Sequence, residues 1–217
     1  MKFIDKKDPP PKFVDWKNQA NENWQPNWSK LANPEKKEVR TSLLKEQGYI
    51  CCYCGRRIDS RDSHIEHFKP RNLYPDLQLD YDNLIASCNK DKDPNIPPPV
   101  PVHCGHKKDK WYEKKLMVSP LIDNCTEFFR YTEDGQILAT ESSDKQDAAA
   151  KTIEKLDLNI SKLQRMRQAA IAGILDGLDI DNVEDIQKLI TAFEKPNTEG
   201  KYDEFCFAIV YVLNQLI

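Results

Sequence analysis

Four cysteines in the first half of the chain have the spacing of a metal site. Cys51 and Cys54 form a Cys-x-x-Cys pair, and Cys88 and Cys104 follow downstream. A tetrahedral zinc ion takes four thiolate ligands, usually from two separate segments of chain. We therefore predict a structural zinc ion held by these four thiols, with Cys52 as an alternative to Cys51. A redox pair or ordinary buried thiols are the competing interpretations.

The histidines are concentrated in the same part of the sequence. All four lie between Cys51 and Lys108, and His67 directly follows Glu66. Such a pair places a hard oxygen ligand beside a nitrogen base. Hydrolysis of a phosphodiester needs both, because a divalent cation must neutralise charge on the phosphate and a base must deprotonate the attacking water. A further histidine, His106, favours this chemistry over an isolated structural histidine.

Short strands and a helix are predicted around these side chains. His64 to Phe68 alternates like a strand, and Tyr81 to Ser87 contains an apolar stretch that suits a partner strand. A charged helix is predicted from Gly105 to Lys115. Five prolines in residues 89–102 predict a loop before this helix. The window therefore predicts a strand–strand–helix (ββα) unit.

The flanking sequence predicts mainly helices. A helix over residues 34–47 follows an N-terminal arm that contains three tryptophans, and residues 128–140 predict a β-hairpin with a turn at Gly135. Further helices are predicted near residues 145–157, 160–176, 182–194 and 202–216. We therefore predict an α+β fold in three parts: an N-terminal arm and helix over residues 1–48, a ββα core with the zinc knot over residues 49–118, and a hairpin with a helical region over residues 119–217.

Charge is divided unevenly along the chain. The net charge is −3, with +5 on residues 1–115 and −8 on residues 116–217. The basic part contains the candidate site, as a phosphate-binding protein would require, although an unevenly charged solvated surface explains the division nearly as well. The sequence has no apolar run of the about 18 residues that a membrane span needs and no apolar segment typical of a signal peptide near Met1. We expect a soluble cytoplasmic protein.

Taken together, these motifs resemble the HNH endonuclease family. The resemblance rests on the Cys-x-x-Cys pair and on four further elements, Glu66-His67-Phe68-x-Pro70, Asn83-Leu84, Cys88 and Cys104-Gly105-His106-Lys107-Lys108. The family has a ββα-metal fold, and many members carry a four-cysteine zinc knot. The resemblance therefore implies a metal-dependent nuclease that hydrolyses phosphodiester bonds in DNA or RNA.

Site roles follow from this resemblance residue by residue. His67 matches the first histidine of the family motif, which implies the general base. Asn83 matches the middle asparagine, which holds the loop and the base in place. His106 matches the last histidine and, with Glu66, would bind the catalytic ion, Mg²⁺ or a similar divalent cation. Three nearby residues stay open as further ligands of either metal: His64, Asn89 and His103.

About residues 1–180 also resemble the PtuB-type HNH components of Septu and retron-associated anti-phage systems. This resemblance implies an ATPase partner of the PtuA type and, in retron systems, association with a reverse transcriptase and its DNA–RNA product. Two other classes of function stay open. One is a non-catalytic zinc-knot module that binds nucleic acid or protein, and the other is a structural subunit organised by its C-terminal helices.

Overall fold

The computed structural model describes residues 1–89 and 101–217, which form the predicted mixed α+β fold. Most of the Pro-rich loop predicted over residues 89–102 lies outside the described residues. In chain order, the helices and strands are α1 Pro11–Asn18, α2 Glu35–Glu46, β1 Ser63–His67, β2 Leu84–Cys88, α3 Gly105–Lys108, β3 Phe129–Tyr131, β4 Ile137–Ala139, α4 Gln146–Leu156, α5 Ser161–Leu175, α6 Val183–Phe193 and α7 Cys206–Leu213.

The antiparallel strands β1 and β2 form the centre of the candidate site. Ser63 lies opposite Cys88 and His67 lies opposite Leu84, so the two strands match along their whole length. Every residue of both strands is buried. Because both faces are covered, the polar side chains of β1 must find their partners inside the protein. β1 therefore carries the ionisable groups of the predicted site into a protein interior.

Side chains close the outer edge of β2. Gln47, which is 3% exposed, donates to the backbone oxygen of Ala86 at 2.8 Å and accepts from the Ala86 N–H at 2.6 Å. Lys6 Nζ donates to the backbone oxygen of Leu84 at 3.2 Å. Buried backbone groups need such partners, since an unpaired N–H or C=O away from water is costly. The amide of Gln47 thus takes the place of a neighbouring strand.

The helix after β2 is much shorter than predicted. α3 is the single turn Gly105–Lys108, whereas the sequence predicts a helix to Lys115, and that prediction is wrong. The turn ends at Asp109, whose φ of 48° lies in the left-handed region. The backbone N–H of Trp111 then donates to the backbone oxygen of Lys108 at 2.8 Å. The side chain of Lys108 is drawn into the interior against β1, which explains why the helix stops there.

The second strand pair, β3 and β4, confirms the predicted hairpin and packs on the C-terminal helices. Phe129 lies opposite Ala139 in its register. The turn is held by Arg167 of α5, which is 1% exposed and donates to the backbone oxygens of Gly135 at 2.7 Å and Leu158 at 2.9 Å. A buried guanidinium needs acceptors of this kind. Arg167 therefore ties the hairpin turn to the α4–α5 connection.

The C-terminal helices α4 to α7 lie where the sequence predicts them, except that α7 begins at Cys206 rather than near residue 202 and ends at Leu213 rather than near residue 216. Within the described ranges, every helix is too short or too polar to cross a membrane. The predicted division of the chain at residues 48 and 118 stays a prediction.

Gly135→Ala is expected to destabilise the protein. Gly135 has a φ of 81°, and a Cβ there would lie 2.1 Å from the backbone oxygen of Gln164. A side chain in the left-handed region costs about 1–2 kcal/mol, and the clash with α5 adds to this cost. The free energy of unfolding, measured by urea denaturation, should fall by more than about 2 kcal/mol.

Gly173→Ala is the matched control. Gly173 is an exposed residue of α5, and a Cβ there would meet no atom within 4 Å. Alanine is favoured over glycine in a helix, so the free energy of unfolding should rise by about 0.5–1 kcal/mol. A similar effect of the two substitutions would contradict the account of the hairpin turn.

Candidate active site and metal centre

The four predicted zinc ligands lie together in the structure. The Sγ atoms of Cys51, Cys54, Cys88 and Cys104 are all within 4.8 Å of one another, and all four side chains are buried. The Sγ atoms of Cys54 and Cys88 are 3.9 Å apart. Sulfurs around a tetrahedral zinc ion have such separations, because each Zn–S bond is about 2.3 Å long. The donor set therefore fits zinc.

Three local structures bring these cysteines to one point. Cys51 and Cys54 lie in the tight turn before β1, Cys88 is the last residue of β2, and Cys104 immediately precedes α3. Cys52, the alternative ligand in the sequence, is buried but is not one of the clustered thiols. The two-residue spacing of Cys51 and Cys54 is thus the one that the fold uses.

Hydrogen-bond donors surround this cysteine cluster. The Cys88 N–H lies 3.3 Å from Cys51 Sγ. His103 Nδ1 lies 3.2 Å from Cys104 Sγ and 3.6 Å from Cys88 Sγ, and Asn89 Nδ2 lies 3.9 Å from Cys88 Sγ. Donors of this kind orient metal-bound thiolates and stabilise their charge. The side chains of His103 and Asn89 therefore both lie at the cysteine cluster.

Glu66 is buried between two basic side chains. Its Oε1 lies 2.8 Å from Lys108 Nζ, and its Oε2 lies 3.3 Å from His64 Nε2. Burial alone would raise the pKa of this carboxyl, but the hydrogen bond with His64 and the charge of Lys108 outweigh burial and lower the pKa below its ordinary value. Glu66 is therefore ionised at neutral pH, as a ligand of a hard cation must be.

Two histidines lie close to this carboxylate. The rings of His64 and His106 are stacked, with centroids 4.4 Å apart and planes at 25°. The backbone of Gly105 passes beside them, and a Cβ there would lie 2.7 Å from both Glu66 Oε2 and His64 Nε2. The absent side chain leaves a cradle between oxygen and nitrogen donors. Carboxylate and imidazole are common ligands of divalent cations, so the residues fit such an ion.

His67 faces the same cleft with one defined tautomer. Its Nε2 lies 3.0 Å from the backbone oxygen of Gln78. Because a carbonyl oxygen only accepts, Nε2 must carry the proton, and Nδ1 is the unprotonated nitrogen of the neutral ring. Burial is the largest influence on the ring and lowers the pKa of His67 below its ordinary value. The neutral ring is therefore the form present at physiological pH, as a general base requires.

Asn83 fixes the loop between β1 and β2. Its Oδ1 accepts from the Lys69 N–H at 2.8 Å, and its Nδ2 donates to the backbone oxygens of Lys69 at 3.0 Å and Leu77 at 3.2 Å. The side chain thus joins the start of the loop to its later part. Gln78, the partner of His67, directly follows Leu77. Asn83 therefore lies where it can hold that partner in place.

The carboxylate of Glu66 and the three imidazoles described above line a cleft of about 470 Å³. Three cations, Lys36, Arg71 and Lys110, stand at its rim with the acidic residue Asp109. A mainly basic rim attracts polyanions. The other lining residues are Trp28, His64, Ile65, Glu66, His67, Pro70, Asn72, Gly105 and His106. A larger cavity, of about 780 Å³, lies between residues 1–3, β3 and α7, and none of the predicted site residues lines it.

His64, which the sequence left open as a further ligand, lies in the cleft with its Nε2 3.3 Å from Glu66 Oε2. The structure also adds residues that the sequence did not indicate. Trp28 and Gln78 both contact His67 but were not predicted. Three tryptophans in a polar arm were the available signal, although nothing in the sequence indicates which of them meets the site.

Comparisons with known proteins point to the same family as the sequence motifs. The family model for HNH endonucleases matches residues 51–92. The HNH protein of retron Vc95 from Vibrio cholerae serotype O1 biovar El Tor is 29% identical over 64% of this chain and 66% of its own length. Septu protein PtuB from Bacillus thuringiensis is 25% identical over 62% of this chain and 59% of its own length. The HNH protein of retron Ec83 from Escherichia coli is 26% identical over 65% of this chain and 69% of its own length.

The chain thus spans 66% and 59% of the length of the first two of these relatives. The matched segment contains Glu66, His67 and Asn83, while Cys104 and His106 follow it. The resemblance that the sequence predicts is therefore confirmed: residues 51–92 match the HNH endonuclease family model, and the chain is similar to HNH proteins from Septu and retron systems.

Proposed function

We propose that the chain is a metal-dependent HNH endonuclease that hydrolyses phosphodiester bonds in nucleic acid. One arrangement carries the proposal: His67, with Nδ1 unprotonated, shares a single cleft with the ionised carboxylate of Glu66. A base beside a hard oxygen ligand is what this hydrolysis requires. The family match over residues 51–92 supports the same chemistry.

The base and the groups that hold it have separate roles in this proposal. His67 accepts the proton of the attacking water at Nδ1, while Gln78 keeps the other proton at Nε2. Lys108 is wholly buried and holds both the carboxylate of Glu66, at 2.8 Å, and the backbone oxygen of His67, at 3.0 Å. It thereby fixes the ligand and the base relative to each other. Asn83 holds the loop that carries Gln78.

Glu66 and His106 would hold the catalytic cation, Mg²⁺ or a similar divalent ion, and His64 lies close enough to Glu66 to join them. When bound, such an ion supplies positive charge for the phosphate and the leaving oxygen. The cradle beside Gly105 supports this assignment, because any side chain there would fill the space between the donors.

The relatives support a role in anti-phage defence. Their names place them in a Septu system and in two retrons. We infer that this chain is the nuclease effector of such a system and acts with an ATPase partner of the PtuA type. In a retron setting it would also associate with a reverse transcriptase and its DNA–RNA product.

His67→Ala should abolish cutting and leave the fold intact. Loss of a general base typically costs about 10²–10⁴-fold in rate. The measurement is cleavage of DNA and of RNA with Mg²⁺, by the chain alone and with its ATPase partner. Zinc content and melting temperature, measured on both variants, control for folding.

Chemical rescue separates a missing base from a damaged site. His67→Gly leaves a space beside Trp28 in which free imidazole can bind, so added imidazole should restore part of the cutting. Undiminished cutting by His67→Ala would contradict the nuclease mechanism. If wild type and variant both bind nucleic acid without cutting it, in every combination tested, the non-catalytic zinc-knot module is the better account.

The cysteine cluster is proposed to hold one structural zinc ion per chain. Cys54→Ala should lower the zinc content measured by mass spectrometry well below one per chain and should unfold the core. Zinc binding contributes about 10–16 kcal/mol in zinc-finger peptides, which is comparable to the whole stability of a domain. Circular dichroism would report the loss of structure.

Cys52→Ala is the matched control for the zinc site. Cys52 is also buried and lies two positions from Cys54, but it is outside the clustered thiols. Its loss should leave the zinc content unchanged and cost only the packing of one small side chain. Equal zinc loss in the two variants would contradict the assignment of ligands.

A further inference from the structure

Trp28 reaches the candidate base from outside the matched HNH segment. It lies in a short 3-10 turn, Trp28–Lys30, of the N-terminal arm. Its ring centroid is 4.3 Å from that of His67, with the ring planes at 79°. Edge-to-face packing at this distance is a favourable aromatic contact. The indole therefore limits how far the imidazole can turn.

Gln78 links the arm to the same imidazole. Its side-chain Oε1 accepts from the backbone N–H of Trp28 at 3.0 Å, while its backbone oxygen accepts from His67 Nε2 at 3.0 Å. A single residue thus sets both the place of the arm and the orientation of the base. The loop around Gln78 is fixed in turn by Asn83, through Leu77.

Two cations from different elements hold the indole itself. Lys36 Nζ of α2 lies 5.6 Å from the Trp28 ring centroid, and Arg71 Cζ of the β1–β2 loop lies 5.9 Å from it. Cation–π contacts at such distances are attractive. Asn27 Oδ1 caps the turn by accepting from the Lys30 N–H at 3.2 Å. Trp28 is therefore held in place before any substrate binds.

We propose that Trp28 is a positioning residue for His67, an inference that rests on the proposed function. With Gln78, it keeps the imidazole in the orientation in which Nε2 is hydrogen-bonded and Nδ1 serves as the base. It acts through His67 and not on the substrate. A misplaced base slows the chemical step without weakening substrate binding, because the rate depends on the alignment of the reacting groups.

Steady-state kinetics on an oligonucleotide that the wild type cuts provide the first test. Trp28→Ala should lower kcat by about 10- to 100-fold and change KM by less than about twofold. Trp28→Phe keeps an aromatic ring against His67 and should recover most of kcat. Zinc content and melting temperature should match the wild type in both variants.

Trp24→Ala is the matched control from the same arm. The Trp24 ring packs on Trp16, at 5.6 Å between centroids, and does not line the cleft. The kcat of the Trp24→Ala variant should equal that of the wild type.

A double-mutant cycle extends the test to Gln78. Gln78→Ala keeps the backbone oxygen that binds His67 and removes only the side-chain bond to the Trp28 backbone N–H, so its effect on His67 passes through Trp28. The loss in the combined Trp28→Ala and Gln78→Ala variant should therefore be smaller than the product of the two single losses.

A spectroscopic readout does not depend on cutting. Nitrogen-15 spectra of the histidine rings should show the wild-type His67 with its proton on Nε2, and Trp28→Ala should show a mixture of the two tautomers. An unchanged tautomer together with unchanged kcat would overturn the proposal. A raised KM with unchanged kcat would also overturn it and would make Trp28 a stacking surface for substrate. Cutting by His67→Ala would instead overturn the proposed function.

Discussion

The arrangement of the candidate site depends on the packing of four thiols at one point. Cys88 ends β2 and Cys104 immediately precedes α3, so the cluster joins the end of β2 to the start of α3. His106 is two residues after Cys104, so the position of Cys104 limits where His106 can lie. This junction places the ring of His106 where it stacks on the ring of His64 in β1. The cysteines thus align two segments that the sequence holds far apart.

A buried ion pair makes the second connection between the same elements. Lys108 of α3 is wholly buried and pairs with Glu66 of β1 at 2.8 Å. Removing two charges from water is expensive, and leaving one of them unpaired typically costs about 3–5 kcal/mol. The pair therefore permits few alternative placements of α3 against β1. This constraint also explains the short helix, because the chain must turn at Asp109 once the lysine has reached the carboxylate.

Local patterns in the sequence were sufficient for the strands, the hairpin and the C-terminal helices. The Cys-x-x-Cys spacing likewise identified the thiols that cluster. Periodicity could not show that α3 stops at Lys108, because the cause is a contact with Glu66 far away in the sequence. Nor could it show that Trp28 rather than Trp24 meets the site. The role of Gln78 depends on a backbone carbonyl, which leaves no trace in residue type. The missed features are therefore those set by tertiary contacts and backbone groups.

The closed edge of β2 limits how this protein can meet others. An exposed strand edge is a template on which a second chain can add a strand, in function or in aggregation. Here the backbone groups of Ala86 are already occupied by the amide of Gln47, and the Leu84 oxygen by Lys6. β2 therefore cannot recruit an extended peptide or a second copy of the chain by β-augmentation on this side. A partner that binds at this edge must therefore recognise side chains, because the backbone groups of Ala86 and the Leu84 oxygen are already hydrogen-bonded.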